Sequence, residues 1–249
     1  MRLDQFIYSQ GFGTRRQCAG LIAAGAVCID GRECCDPNTE VEAVSGATMF
    51  SVQGEEWQFH APAYVLLNKP TGYECSQRPG AWPSVYTLLP TPLRQRPGAL
   101  KSLGVQAVGR LDQDTTGLLL LSDDGAFIHR MNSPRHHVPK VYEVTLRHAL
   151  TPQQVQRLLE GVVLDDDPRP VKAVAAQQVG EFHLQLTLTE GKYHQVKRMV
   201  AAVGNRVNAL HRSRVGSLTL DPALKAGLWR WLSVKEVNAL KAAGAEHRH

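Results

Sequence analysis

Gly117 is followed by four leucines, Leu118 to Leu121, and then by Ser122-Asp123-Asp124-Gly125; no other run among the 249 residues constrains the fold as strongly. An unbroken apolar run between a glycine and a turn has the length and punctuation of a strand covered on both faces. Ahead of it stands the polar stretch Gly109-Arg110-Leu111-Asp112-Gln113-Asp114-Thr115-Thr116. A loop pinned by glycines and anchored to a core strand can hold a carboxylate at a fixed place in a cleft, and Asp112 is the candidate. The residues alone equally allow Asp112 to cap a turn and Arg110 to be a surface charge.

Hydrophobic residues make up 43% of the chain, enough at this length for two cores. No apolar stretch reaches the roughly 18 residues that cross a bilayer, and the polar start Met1-Arg2-Leu3-Asp4-Gln5 reads without a secretion signal. Five cysteines, an odd number with no Cys-x-x-Cys pair, fit a reducing cytoplasm and no common zinc spacing. Residues 1–60 carry four Lys/Arg against eight Asp/Glu; of the chain's 28 and 23, the remainder therefore carries 24 and 15. That positive excess beyond residue 60 favours a polyanionic partner.

Leu3, Phe6 and Ile7 give a first short helix its apolar stripe. Thr14 with Gln17 three residues on forms a capping box for a second, whose buried face is Cys18, Leu21 and Ile22 and whose end is Gly25. Ala26 to Ile29 reads as a strand and Asp30-Gly31 as a hairpin turn. Arg15 and Arg16 fall at the positive end of the second helix, which disfavours cations by roughly 0.3–1 kcal/mol each; a docked phosphate would reverse that. This order of elements, over about residues 1–45, resembles the alpha-L RNA-binding domain, and the resemblance implies RNA contacts through Arg15 and Arg16. From Val44 to Pro62 the pattern loosens, with Gly46, Gly54 and Pro62, into strand remnants that lead into a linker, so a domain boundary is expected near residue 60.

Beyond it, Tyr64 to Leu67 reads as a buried strand leaving through Asn68-Lys69-Pro70-Thr71-Gly72, in which Lys69 is read as structural. The Pro- and Arg-rich stretch from Gly72 to Gly104 is expected to stay out of the core, either as an arm that orders on RNA or as an ordinary flexible insertion. Ala126 to Met131 forms a helix that Pro134 stops, and Ser133-Pro134-Arg135-His136-His137 a basic loop. Alternation over Lys140 to Leu146 puts Lys140, Tyr142, Val144 and Leu146 on one face of a strand. Thr151-Pro152 opens a helix that Gly161 ends, and Asp165 to Asp167 reads as a solvated turn. At 100° per residue, Val196, Met199, Val200 and Val203 share one side of a further helix, and Tyr193, His194, Lys197 and Arg198 a separate arc. From Lys192 to Arg214 there are six basic residues and no acid, Arg212 and Arg214 among them: a phosphate-binding stripe. Ser233 and Glu236 form a capping box for a last helix, with a fraying tail to His249.

Gly-Arg-Leu-Asp at 109–112, Asn-Lys-Pro-x-Gly at 68–72, Lys-x-Tyr at 140–142 and Glu-Gly-Lys-Tyr-His-Gln-Val-Lys-Arg-Met at 190–199 together resemble the pseudouridine synthases. With Ser-Pro-Arg-His-His, the resemblance is to those that modify small-subunit ribosomal RNA. It implies an α+β fold, with a small alpha-L RNA-binding domain (1–60 with its linker) joined to a catalytic domain (61–249) built on a mostly antiparallel mixed sheet. It also implies a reaction needing neither cofactor nor metal, with Asp112 as the essential aspartate, Lys197 as its basic partner and Tyr142 against the target uracil. Arg110, Arg135, His136, Lys140, Lys192, His194, Arg198, Arg212 and Arg214 are the expected RNA contacts. The expected partner is ribosomal RNA within an assembling small subunit, met by a monomer in the cytoplasm. A synthase for large-subunit RNA and a non-catalytic ribosome-assembly factor are the alternatives; a binding module has no need of Asp112, Tyr142 and Lys197 together.

Overall fold

Helices α1 (Leu3–Ser9) and α2 (Arg15–Ala23) open the chain in a computed structural model that describes residues 1–98, 104–165 and 167–243. The Thr14 hydroxyl accepts from the Gln17 amide, and the Gln17 side chain accepts from the Thr14 amide, so the capping box starts α2. Strands β1 (Val27–Ile29) and β2 (Arg32–Glu33) pair about the Asp30-Gly31 turn. The segment expected to hold strand remnants before a linker forms a full second hairpin, β3 (Met49–Val52) and β4 (Glu55–Gln58), completing a four-stranded sheet in the order β2-β1-β3-β4. Its turn is Gln53-Gly54, both at positive φ, and lacks the Asn or Asp that usually announces such a turn. Phe50, Val52 and Phe59 point inward, and Phe6 of α1 stacks on Phe59 at 4.7 Å and meets Phe50 edge-on at 5.1 Å.

Strand β5 (Tyr64–Lys69) begins the large sheet. A single 3-10 turn (Val85–Leu88), α3 (Thr91–Gln95), β6 (Gln106–Val108), β7 (Thr115–Ser122), α4 (Gly125–Asn132) and β8 (Lys140–Leu146) follow. Next come α5 (Pro152–Glu160), a hairpin of β9 (Val162–Leu164) and β10 (Asp167–Val171), β11 (Ala175–Gly180), β12 (His183–Leu188) and α6 (Gln195–Ala202). Strands β13 (Val207–Val215), β14 (Leu218–Thr219) and β15 (Trp229–Trp231) and helix α7 (Val234–Ala242) end the described chain. The order is β11-β12-β8-β13-β7-β5-β15, with β6 on β7 and β14 on β13; among the described strands of this sheet, only β7 and β13 pair in parallel. The fold is thus α+β with a mostly antiparallel mixed sheet. Asp166 of the expected acidic turn and the tail 244–249 lie outside the described residues.

The leucine run sits in the middle of that order because both faces of β7 are covered. Leu119 and Leu121 pack with Val85, Leu158 and Met199, while Leu118 and Leu120 pack with Phe127, Leu232 and Leu240. Each buried leucine contributes roughly 1.5–3 kcal/mol, so the strand carrying the Asp112 loop is among the firmest in the molecule.

The stretch from Gly72 departs from expectation as well over its described part, 72–98; residues 99–103 lie outside the described residues. Val85, Tyr86, Leu89 and Leu93 are core residues, and the Arg96 side chain is only 3% exposed. Its prolines delimit a short 3-10 turn and a five-residue helix, each too brief to show a periodicity. Arg96 joins three segments: Nε donates to Asp123 Oδ2 at 2.7 Å, Nη1 to Gln10 Oε1 at 3.0 Å, and Nη2 to the His60 carbonyl. The His60 ring stacks on Trp231 at 3.9 Å. A Cβ on Gly11 would lie 2.1 Å from the Pro92 carbonyl oxygen, so only glycine lets α1 end this close to α3. The first sheet with its helices and the large sheet therefore meet through a buried, hydrogen-bonded contact.

Candidate active site

Asp112 stands on the loop between β6 and β7, and the loop's shape is set from below by Lys69 at the end of β5. Lys69 is fully buried, and its ammonium donates to the carbonyls of Pro70 (3.0 Å), Asp112 (3.0 Å), Gln113 (3.2 Å) and Thr115 (2.8 Å). Three N–H donors shared among four carbonyls satisfy backbone acceptors of the Asp112 loop and of the chain just after β5 and at the start of β7. Burial holds the Lys69 pKa below the ordinary lysine value. Gly117 completes the anchor: a Cβ there would lie 2.4 Å from the Arg212 carbonyl oxygen, where β7 and β13 run side by side.

The Asp112 carboxylate projects into a cleft of about 360 Å³. Oδ2 lies 3.3 Å from Lys197 Nζ and Oδ1 lies 3.4 Å from His194 Nε2. Lys197 comes from α6, whose other side buries Val196, Met199 and Val200. Tyr142 of β8 lines the cleft with its ring almost wholly covered, and Arg212 of β13 stands opposite it in register. Arg110, Lys140 and Lys192 join Lys197 and Arg212, so that the charged groups of the lining are five cations against Asp112 and Glu190.

Lys197 is shared. Its Nζ lies 2.6 Å from Asp114 Oδ1, nearer than to Asp112. Partial burial pulls the Lys197 pKa down, but the bond to Asp114 and the charges of Asp112 and Asp114 outweigh it, and the value is raised. Burial acts on Asp114 upward, and Lys197 outweighs it to hold that carboxyl below the ordinary range. Lys140 is lowered to about 8 by burial and by the Arg212 charge.

The structure brings Asp112, Tyr142, Lys197, Arg110, Lys140, Lys192, His194 and Arg212 to one cleft. Arg135, His136, Arg198 and Arg214 do not line it, and Arg15 and Arg16 lie exposed at the start of α2, with Arg15 over the Tyr8 ring. Two expectations change. Arg212 is 2% exposed and gives its Nε to the Leu118 carbonyl at 2.8 Å, so part of its role is to brace β7 rather than to reach solvent. The first stretch of the expected basic arc, Tyr193-His194, is not helical: α6 begins at Gln195, and His194 before it is left-handed, φ 48° and ψ 32°. Gln195 explains the start, since its side chain accepts from the Lys192 amide and donates to Glu190, closing the turn. Sequence reading passed over Asp114, whose signal was its place two residues after Asp112. It also missed how much Lys69 holds, which a lysine before proline does not disclose.

Comparison with known proteins agrees with this architecture. A family model described as RNA pseudouridylate synthase matches residues 63–202, and one described as S4 domain matches residues 1–45. The Pasteurella multocida protein named ribosomal small subunit pseudouridine synthase A is 37% identical over 238 residues, covering 95% of this chain and 98% of the relative. Its Escherichia coli K12 namesake is 39% identical over 238 residues, with the same coverage. A solved structure titled crystal structure of pseudouridylate synthase is 36% identical, covers 96% of this chain and 99% of its own, and superposes with a TM-score of 0.65. The chain belongs to the RNA pseudouridylate synthase family and carries an S4 domain ahead of the synthase fold.

Proposed function

We propose that this protein isomerises a uridine of small-subunit ribosomal RNA to pseudouridine, with Asp112 as the catalytic carboxylate. The observation that carries the reading is the Asp112 carboxylate 3.3 Å from Lys197 in a cationic cleft that Tyr142 lines, in a chain of this family. The substrate is inferred from the relatives, which are named for the small ribosomal subunit along almost their whole length.

Isomerisation breaks the bond from ribose to uracil nitrogen, turns the base and forms the bond to carbon. Asp112 either attacks the first ribose carbon or takes a proton from the second. Both roles call for a carboxylate, and Lys197 offsets the cost of holding that charge in a partly closed cleft. Tyr142 packs on the flipped uracil, and Arg110, exposed on the same loop, fills the gap left in the RNA. Flipping costs a few kcal/mol, which phosphate contacts by Lys140, Lys192, His194 and Arg212 offset inside the cleft and those by Arg135, His136, Arg198 and Arg214 outside it. Arg15 and Arg16 take the RNA on the S4 side. The division of labour falls near residue 60, with 1–60 for RNA binding and 61–249 for chemistry. The protein acts as a cytoplasmic monomer on an assembling small subunit.

The test is tritium release from carbon-5-labelled, unmodified small-subunit RNA, naked and bound by ribosomal proteins, beside large-subunit RNA. Release from small-subunit RNA alone is expected, faster with the proteins bound. Release only from large-subunit RNA would overturn the substrate, and silence on both would leave a binding factor.

A further inference from the structure

Tyr193 stands at the rim of the Asp112 cleft with 75% of its surface exposed, the highest value among the large hydrophobic side chains of the described residues. One face of its ring lies on the His194 imidazole, centroids 3.9 Å apart and planes 18° from parallel. That leaves the opposite face to solvent. His194 in turn has Nε2 3.4 Å from Asp112 Oδ1, so a ring stack followed by a polar contact leads from the rim to the carboxylate.

The arrangement is held in place. His194 is left-handed, a conformation that costs a non-glycine residue of order 1–3 kcal/mol and persists only where neighbours enforce it. Here Gln195, 4% exposed, ties the turn to the Lys192 amide and to Glu190. From the other side Arg198 Nη1 donates to the Tyr193 carbonyl at 3.2 Å. A strained turn braced on both sides presents an aromatic face that packs against no core cluster.

We infer that Tyr193 is a stacking shelf for the nucleobase next to the flipped uridine, a subsite of the RNA strand outside the uracil pocket. The inference rests on the RNA reading above. When a uridine leaves the stack, its neighbour loses a partner on one face, and the Tyr193 ring replaces that partner. A π-face accepts any base, so the shelf contributes affinity and register without reading sequence. It also differs from the lysines and arginines around it, because stacking releases no counterions.

The experiment compares wild type, Tyr193→Phe and Tyr193→Leu in tritium release from carbon-5-labelled small-subunit RNA, with KM, kcat and the salt dependence of Kd measured for each. Tyr193→Phe keeps the ring and is expected within about twofold of wild type. Tyr193→Leu is expected to raise KM roughly 5- to 150-fold, the span of one lost base stack, with the slope of log Kd against log salt unchanged. Equal KM for all three proteins would overturn the shelf. So would a Phe variant as poor as the Leu variant, or a Leu variant with a shallower salt slope. No release by wild type is read separately: it would remove the isomerase reading, and the shelf with it.

Discussion

Lys197 and Asp114 form a 2.6 Å ion pair beside the Asp112 carboxylate, which stands farther from the same ammonium, at 3.3 Å. The lysine head is therefore fixed by a carboxylate outside the proposed chemistry. Asp114→Asn weakens that hold and lets the four-carbon stem wander. We expect kcat to fall on the order of 10-fold, about 1.4 kcal/mol, with KM nearly unchanged. Lys197→Met should cost more in kcat. Steady-state tritium release on both variants checks the order; Asp114→Asn as damaging as Lys197→Met would mean that Asp114 has a larger part.

Lys69 predicts a coupled loss. Replacing it with Met leaves the carbonyls of Pro70, Asp112, Gln113 and Thr115 without their shared donor. Hydrogen bonds to a charged group contribute roughly 1.5–3 kcal/mol, so destabilisation of about 3 kcal/mol is expected in urea unfolding. Activity should fall further than stability explains, because the Asp112 loop is what those bonds shape. A stable, active Lys69→Met protein would contradict this account of the loop.

Lys140 gives the cleft a titration near neutral pH. Its pKa of about 8 in the fold, against 10.5 for a free lysine, means that the cleft loses a positive charge as pH rises through 8. Under the proposed RNA contact through Lys140, kcat/KM in the free enzyme should decline above pH 8, and Lys140→Met should be lower but flatter. The stability sign is opposite: between about pH 8 and 10.5 the unfolded chain binds more protons, so this group's contribution rises with pH. A wild-type profile level to pH 9.5 would remove Lys140 from RNA binding.

The contact between the two sheets should be acid-labile. His60, stacked on Trp231 and bonded through its carbonyl to Arg96, has its pKa lowered to about 4 by burial and by the Arg96 charge. Its contribution is present above the unfolded value of about 6.5 and is lost as pH falls toward 4, on the order of 3 kcal/mol. His60→Phe keeps the stack and the carbonyl but not the titration. Its melting temperature should therefore drop less between pH 7 and 4.5 than that of wild type, and equal drops would exclude His60. Arg96→Ala, which strands the buried Asp123 carboxylate, should cost about 3–5 kcal/mol at pH 7.

What could be read from the sequence follows the range of the interactions. The two helices with their capping boxes, the leucine strand and the buried face of α6 are local, and each announces itself by spacing or by a cap within a few residues. The β3–β4 hairpin was legible only as strand remnants, because four-residue strands and a Gln-Gly turn carry little signal of their pairing. The core role of 72–98 was hidden by its prolines, and that of Arg96 by partners 27 to 86 residues away. At the site, Asp112 and Lys197 were named on motif resemblance. Their sharing with Asp114 spans 83 residues and needed the fold to appear.

The measurement that bears most directly on the central claim is tritium release by Asp112→Asn beside wild type, with RNA binding measured on the same preparations. The substitution keeps the size of the side chain and removes its charge beside Lys197. We predict release at least about 1,000-fold below wild type, a loss of roughly 4 kcal/mol in transition-state stabilisation, with Kd for small-subunit RNA within a few fold. Release by Asp112→Asn within tenfold of wild type would contradict the assignment of Asp112 as the catalytic carboxylate.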